Sequence, residues 1–334
     1  MALRRPTQRN EVSPAPVANF ITVYQKWLFI ITIVQYIVCK LTVMKRSFLA
    51  IAALLYFFPA QAQQPVIVSP QWLHENLNDP SLVVLYTGFV IKGDFDREHI
   101  EGSRFLWADW LAPNTPEASM NAVDVATATK WLQGLGINKN SKIVLCHKSG
   151  DVTITSRMFC SLEYYGLQGK VSYLNGGIEA WKKAGYAVTN KPSVHKKGNY
   201  VASINPVLVD KDYVLNALNT SSSLVVDARM KRWYDGDVTG NPRDGHITGS
   251  LNIPYPDMVD STNSIKPTAV LEKNFTTVAP DKSKEIVLYC FIGQTACVDY
   301  VVGRSLGYNM KVYDGSMQEW SRDEKLPMEK TKKQ

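Results

Sequence analysis

One cysteine in this chain stands where thiol chemistry is easiest to support. In EIVLYCFIGQTACVDYVVGRSLGY, residues 285 to 308, Ile286, Val287, Leu288 and Tyr289 are β-prone, whereas Ala296, Val298, Val301, Val302 and Leu306 recur at helical spacing over residues 295 to 306. Cys290 therefore falls between a strand and a helix, where backbone N–H groups lack partners and the positive end of a helix dipole is close. A thiol so placed ionises readily, and the thiolate is the nucleophile. The plain alternative is a buried core cysteine, the common fate of Cys after an apolar strand. A second junction, LVVDAR, delivers Arg229 after another strand, with Arg232 close behind. In open α/β sheets the ligand crevice lies beyond the carboxyl ends of the strands, so the thiol and the cation can reach one site.

The elements that must position these residues occur twice. VIVSPQWL (66–73) is echoed by VLVDKDYV (207–214), SLVVLYTG (81–88) by SLVVDARM (223–230), and HIEGSRFL (99–106) by HITGSLNI (246–253). KIVLCHKSG (142–150) returns as EIVLYCFIG (285–293), and YLNGGIEAW (173–181) as VYDGSMQEW (312–320), with every offset between 139 and 147 residues. Two copies of one domain follow from this, joined by the polar, basic segment TNKPSVHKKGNY. Each copy alternates short apolar strands with helical patterns such as AVDVATATKWLQGLG (122–136), which predicts an α/β fold with a mainly parallel sheet flanked by helices. The duplication is also an internal control. His99 and His246 occur in both copies, as do Trp181 and Trp320, and are read as packing and hydrogen-bonding residues. At the position of Cys290 the first copy has His147, and at that of Arg229 it has Thr87, so it lacks nucleophile and cation together.

Length and charge set further bounds. A chain of 334 residues accommodates two ordinary domains, and the net charge of +7 is concentrated in the leader, in 191–197 and in the C-terminal tail. No basic helix with interleaved aromatics is present, so no nucleic-acid partner is expected. Beyond Cys39 in the leader, Cys146, Cys160, Cys290 and Cys297 are spaced neither as a CxxC pair nor as a zinc site, so no metal is expected. Cys297 is expected about two turns into the helix, packing against the sheet. From Met44 the sequence reads MKRSFLAIAALLYFFPAQAQQ, a basic, apolar and A-x-A series typical of a secretory signal with cleavage after Ala62. Residues 1–43 then read as an over-extended gene model or leader, and export to the periplasm is expected. The rival is a membrane anchor at WLFIITIVQYIVC, whose apolar core of about 13 residues is short of the roughly 17 to 25 a span requires.

Taken together, D-A-R at 227–229, G-H-I-T-G-S-L-N-I-P at 245–254, C-F-I-G-Q-T-A at 290–296 and Y-D-G-S-M-Q-E-W at 313–320 resemble the rhodanese family, specifically its tandem-domain sulfurtransferases, over about residues 65 to 325. The resemblance implies an inactive domain at 63–190, a linker at 191–203, a catalytic domain at 204–327 and a basic tail at 328–334. It implies that Cys290 takes a sulfane sulfur from thiosulfate or a related donor and passes it from a persulfide to cyanide or another thiophile, with no cofactor. Backbone donors of Phe291, Ile292, Gly293, Gln294, Thr295 and Ala296 would cradle the persulfide, with Arg229 and Arg232 supplying the field for an anionic donor. Thiosulfate-type members carry basic residues after the cysteine and mercaptopyruvate-type members Gly-Ser-Gly; Phe291 and Ile292 match neither. A 3-mercaptopyruvate sulfurtransferase and a persulfide carrier without turnover therefore stay open. A phosphatase of the same general fold would need Arg where Ala296 stands. The expected partners are small-molecule donor and acceptor, an acceptor protein as a further option, and membrane only through an uncleaved leader, with the chain acting as a monomer.

Overall fold

The computed structural model describes residues 63–331 apart from 90, 91, 149 and 151, together with a few residues between 27 and 41. Met1–Ala62 and Gln63–Gln334 are separate units. The expected signal segment 44–62 lies outside the described residues, as does most of 1–43. Among the described residues no helix is long and apolar enough to cross a membrane.

The first half of the second unit runs β1 (Ile67–Val68), α1 (Pro70–Asn76), β2 (Leu82–Gly88), α2 (Gly93–Arg97), β3 (Arg104–Trp107), α3 (Val125–Gly134), β4 (Lys142–Cys146), α4 (Val152–Leu162), β5 (Val171–Leu174) and α5 (Gly177–Lys183). The second half repeats the plan with β6 (Leu208–Val209), α6 (Lys211–Leu218), β7 (Ser223–Asp227), α7 (Lys231–Asp235), β8 (His246–Ile247), β9 (Leu251–Asn252), α8 (Thr268–Val278), β10 (Glu285–Tyr289), α9 (Ala296–Ser305), β11 (Asn309–Tyr313), α10 (Ser316–Trp320) and β12 (Met328–Glu329). Each half forms a five-stranded sheet, ordered β1-β5-β4-β2-β3 and β6-β11-β10-β7-β9, with parallel pairing throughout. Runs such as Val83-Val84-Leu85 and Ile286-Val287-Leu288 are buried on both faces, which is why they read as continuous apolar strands and not as alternating ones. Side-chain caps start the helices: Ser69 accepts from Trp72 N–H, Asp124 from Thr127 N–H and Asp210 from Tyr213 N–H. The helix expected at 122–136 is accordingly trimmed at its start by the Asp124 cap.

The copied residues occupy matching places. Trp181 Nε1 donates to the Ala187 carbonyl and Trp320 Nε1 to that of Pro327. His99 stacks on Phe95 and His246 on Tyr234, each with Nδ1 on that partner's carbonyl oxygen. Each half keeps one outer apolar cluster of its own, around Trp181 and around Trp320. Between the sheets lies one continuous core to which both halves contribute, including Met158, Phe159 and Cys160 of α4 and Cys297, Tyr300 and Val301 of α9. Two expectations drawn at the margins look different in three dimensions. The basic segment is pinned along the first half: Gly198 N–H donates to the Gln133 carbonyl, Tyr200 N–H to that of Ile137, and Ala202 N–H to Thr129 Oγ1. The tail expected from 328 opens with β12, which pairs antiparallel with β8.

Candidate active site

Cys290 is the first residue after β10 and is fully buried. Residues 291 to 295 form a tight loop, and α9 begins at Ala296. What matters in the loop is where its carbonyls are tied. Met317 N–H, in the first turn of α10, donates to the Cys290 carbonyl at 3.0 Å, and Gln318 N–H to the Phe291 carbonyl at 2.9 Å. In a trans peptide the C=O and the following N–H face opposite ways, so holding these carbonyls against α10 turns the N–H groups of Phe291 and Ile292 away from it. Among the described residues no acceptor meets the N–H groups of Phe291 through Ala296. They are a run of free donors leading into a helix N-terminus, suited to an anion.

Cys290 itself is anchored from below. Its N–H donates to Ser316 Oγ at 3.2 Å, and that hydroxyl donates to the Tyr313 carbonyl at 2.8 Å. Ser316 pays for this post with a left-handed backbone, φ +50°. Gly293, at φ +73°, allows the loop to reverse where a Cβ would press on the Asp314 carbonyl.

The structure separates the charged candidates. Arg229 is buried at the end of β7, and its fork is largely committed: Nε and Nη2 donate to the Asp227 carboxylate, the latter at 2.6 Å, and Nη2 also to the Gly245 carbonyl at 2.7 Å. Only Nη1 lacks a partner. The expectation of a free forked cation for the donor is thus narrowed to one N–H edge, because the neighbouring carboxylate of the same D-A-R motif takes the rest. Arg232 is exposed and lies over the Trp233 ring at 4.6 Å. Trp233 meets Phe291 edge-on at 5.0 Å, and the Arg229 guanidinium lies 5.1 Å from the Phe291 ring centre. The result is a row of contacts, Arg229–Phe291–Trp233–Arg232, running out from the first residue of the cysteine loop. Sequence reasoning missed Trp233 by stopping at its basic neighbour.

Gln294 and Thr295 are half-buried; Gln294 Nε2 donates to Thr153 Oγ1 of the first half at 2.8 Å, and Thr295 makes no side-chain cap to α9. Cys297 lies in the first turn of α9 and not two turns in, because residues 291 to 295 are loop; its thiol donates to the Gly293 carbonyl at 3.2 Å. In the first half, His147 takes the place of Cys290, with Nε2 2.8 Å from Tyr173 Oη and Nδ1 2.8 Å from the Lys148 carbonyl, and burial pushes its pKa down to about 4. Thr87 replaces Arg229 and bonds Thr155 Oγ1 at 2.6 Å. Burial drives the Cys146 thiol well above its ordinary range.

Two parallel-sheet domains of one plan, the second of which presents a cysteine ahead of a run of free N–H groups, define a tandem α/β protein built for sulfur or anion chemistry. The rhodanese-like domain family matches residues 69–184 and 210–323, and the chain belongs to it. It is 27% identical over 279 residues to 3-mercaptopyruvate sulfurtransferase of Escherichia coli strain K12, covering 79% of this chain and 98% of that protein. It is 29% identical over 297 residues to the mitochondrial thiosulfate/3-mercaptopyruvate sulfurtransferase 1 of Arabidopsis thaliana, covering 79% and 78%. Among solved structures, a 3-mercaptopyruvate sulfotransferase from Escherichia coli superposes with a TM-score of 0.65 at 25% identity, covering 76% of this chain and 99% of that one.

Proposed function

We propose that the chain is a sulfurtransferase in which Cys290 carries the sulfur as a persulfide. The observation that carries this reading is the set of unpaired N–H groups from Phe291 to Ala296 around a cysteine whose own loop carbonyls are tied away. The Cys290 thiolate attacks the outer sulfur of the donor. With thiosulfate, the S–S bond breaks, its electron pair leaves with sulfite, and a Cys–S–S⁻ group remains. Cyanide carbon or another thiophile then takes the terminal sulfur, and the pair returned to Cys290 regenerates the thiolate. The free N–H groups meet the negative charge at both stages without having to reorganise. No resident cofactor enters this scheme.

Phe291 and Ile292 stand where thiosulfate-type members place basic residues, Trp233 packs edge-on against Phe291, and Arg229 is neutralised by Asp227. This favours a donor less charged than thiosulfate, and 3-mercaptopyruvate, named for two of the relatives above, is the second reading. In it the C–S bond of the donor breaks and pyruvate leaves. A donor panel of thiosulfate, 3-mercaptopyruvate and polysulfide, scored by persulfide mass on Cys290 and by repeated thiocyanate production, tests both readings and separates an enzyme from a carrier. Cys290→Ser should abolish transfer, and Cys146→Ser should leave it within about twofold of the parent; equal loss from both would remove the second domain's claim to the activity. The protein acts as a monomer after export, with Gln63 as the mature N-terminus; intact residues 1–43 on protein isolated from its host would contradict the export.

A further inference from the structure

Beneath the cysteine loop lies a guanidinium that belongs to the other domain. Arg157, on α4, is fully buried. Its Nη2 pairs with Asp314 Oδ1 at 2.7 Å, and its Nη1 donates to the Gly293 carbonyl at 3.3 Å. Asp314 follows β11, and its other oxygen accepts from Ala122 N–H of the first half at 3.0 Å. The Gly293 carbonyl, turned by the left-handed backbone there, thus receives both Arg157 and the Cys297 thiol. By the same trans-peptide geometry that orients Phe291 and Ile292, fixing the Gly293 carbonyl fixes the opposite direction of Gln294 N–H, one of the free donors of the loop.

The arrangement is one-sided, although the fold is duplicated. By the internal repeat, the residue of α9 that matches Arg157 is Tyr300, and its hydroxyl donates to Glu163 at 2.6 Å. The residue that matches Asp314 is Asn175, uncharged, which exchanges hydrogen bonds with the backbone of Ile265. The Arg157–Asp314 pair thus has no counterpart at the matching positions, Tyr300 and Asn175. Its placement is costly, since a buried guanidinium must recover several kcal/mol of lost hydration, Arg157 Nε has no partner, and Nη2 meets Asp314 Oδ1 as an ion contact without hydrogen-bond geometry. Apolar packing between α4 and α9 would hold the domains together without it.

We infer that Arg157 is a positioning residue for the Cys290 reaction: through it the first domain grips the Gly293 carbonyl and aims Gln294 N–H at the reacting sulfur. The inference rests on the sulfurtransferase reading. It also assigns the first domain a task in the reaction although that domain has no nucleophile at the matching loop. Because Asp314 cancels most of the charge at a distance, Arg157 acts on geometry, and its loss falls on the transfer rate more than on donor affinity.

The test uses the full chain with whichever donor loads Cys290 best. Arg157→Gln should lower kcat roughly 10- to 100-fold, less than the loss of a direct oxyanion donor, with KM within about threefold. Arg157→Lys keeps an ion pair with Asp314 but cannot fork onto Gly293 as well, and should fall between. Arg157→Lys keeps the test open if Arg157→Gln does not fold, and Asp314→Asn, which leaves the guanidinium without its counter-ion, should lose kcat in the same way with a lower Tm. Glu163→Gln weakens the domain contact away from the loop and should lower Tm with kcat kept. The inference is overturned if Arg157→Lys and Asp314→Asn both keep kcat within twofold of the parent, or if Glu163→Gln loses kcat as they do. A parent protein that never forms a persulfide on Cys290 refutes the underlying reading first, and the parent assay reports that before any variant is made.

Discussion

A sulfur anion at Cys290, as the proposed reaction requires, would have its charge met by main-chain donors, since among the described residues of the second half the buried guanidinium, Arg229, is spent on a carboxylate. That division between backbone and side chain explains which residues could be read from the letters. Cys290 was legible because a β-prone run, a cysteine and a helical pattern in succession leave few geometries open. Asp227 was equally visible in D-A-R, yet its hold on Arg229 depends on the two side chains turning toward each other, which spacing alone does not decide. Arg157 escaped notice because it lies in the half that lacks the nucleophile. His147, the residue replacing the cysteine there, yields a prediction of its own. Burial holds its pKa near 4, partly offset by the hydrogen bond to the Lys148 carbonyl, against about 6.5 in the unfolded chain. The unfolded state thus binds more protons between these values. The native state is undisturbed above about pH 6.5 and loses stability as pH falls toward 4, by up to about 3 kcal/mol. His147→Gln should flatten that stretch of the profile relative to the parent. Urea midpoints between pH 7 and 4 that fall in parallel for both proteins would mean that His147 is not held neutral.

At the scale of elements, the short helix α10 does more for the site than its length suggests. The N–H groups of its second and third residues take the carbonyls of Cys290 and Phe291, and the Ser316 hydroxyl takes Cys290 N–H. In the first half the matching contact is Ile178 N–H to the His147 carbonyl at 2.8 Å, with Gly177 where Ser316 stands. Both positions are left-handed, φ +58° and φ +50°, but only the second accepts strain to gain a hydroxyl. Ser316→Gly removes roughly 1 to 2 kcal/mol of strain and leaves a buried N–H unpaired at about 1 to 3 kcal/mol, so stability should stay within about 2 kcal/mol of the parent. Transfer should nonetheless slow several-fold as the strand end loosens. Ser316→Ala keeps the strain, loses the acceptor and should be the less stable of the two by chemical denaturation. If Ser316→Ala matches the parent in both stability and rate, the hydroxyl is not what holds Cys290. The repeated VYDGS and YLNGG strings made the equivalence of these helices plain in the sequence; the left-handed serine was not, because serine gives no sign of positive φ.

The duplication predicted two domains, and two five-stranded sheets are present, but the apolar surface is not divided between them. Of the three buried clusters, the largest draws on both halves, and all of α9 from Ala296 to Gly303 is buried within it. Across that plane Glu163, itself buried, accepts from Tyr300 Oη at 2.6 Å and pairs with Arg304 at 3.1 Å, Gln294 reaches Thr153, and Gln318 bonds the backbone of Ser119. Sequence repeats mark copies of a chain segment, and say nothing about whether each copy covers its own core. With the core shared, neither half is complete alone, and residues 63–331 should unfold as one cooperative unit. The van't Hoff enthalpy should then equal the calorimetric one and correspond to the whole unit at roughly 0.7 kcal/mol per residue near 60 °C, twice what independent domains would give. By the same reasoning, residues 204–331 produced alone should bind a hydrophobic dye, leave the amides of α9 unprotected from exchange and show no transfer, because the helix that carries the loop has lost the surface it packs on. Two separate calorimetric transitions, or an active and protected isolated second domain, would show that the shared core is contact between finished domains and not a common foundation.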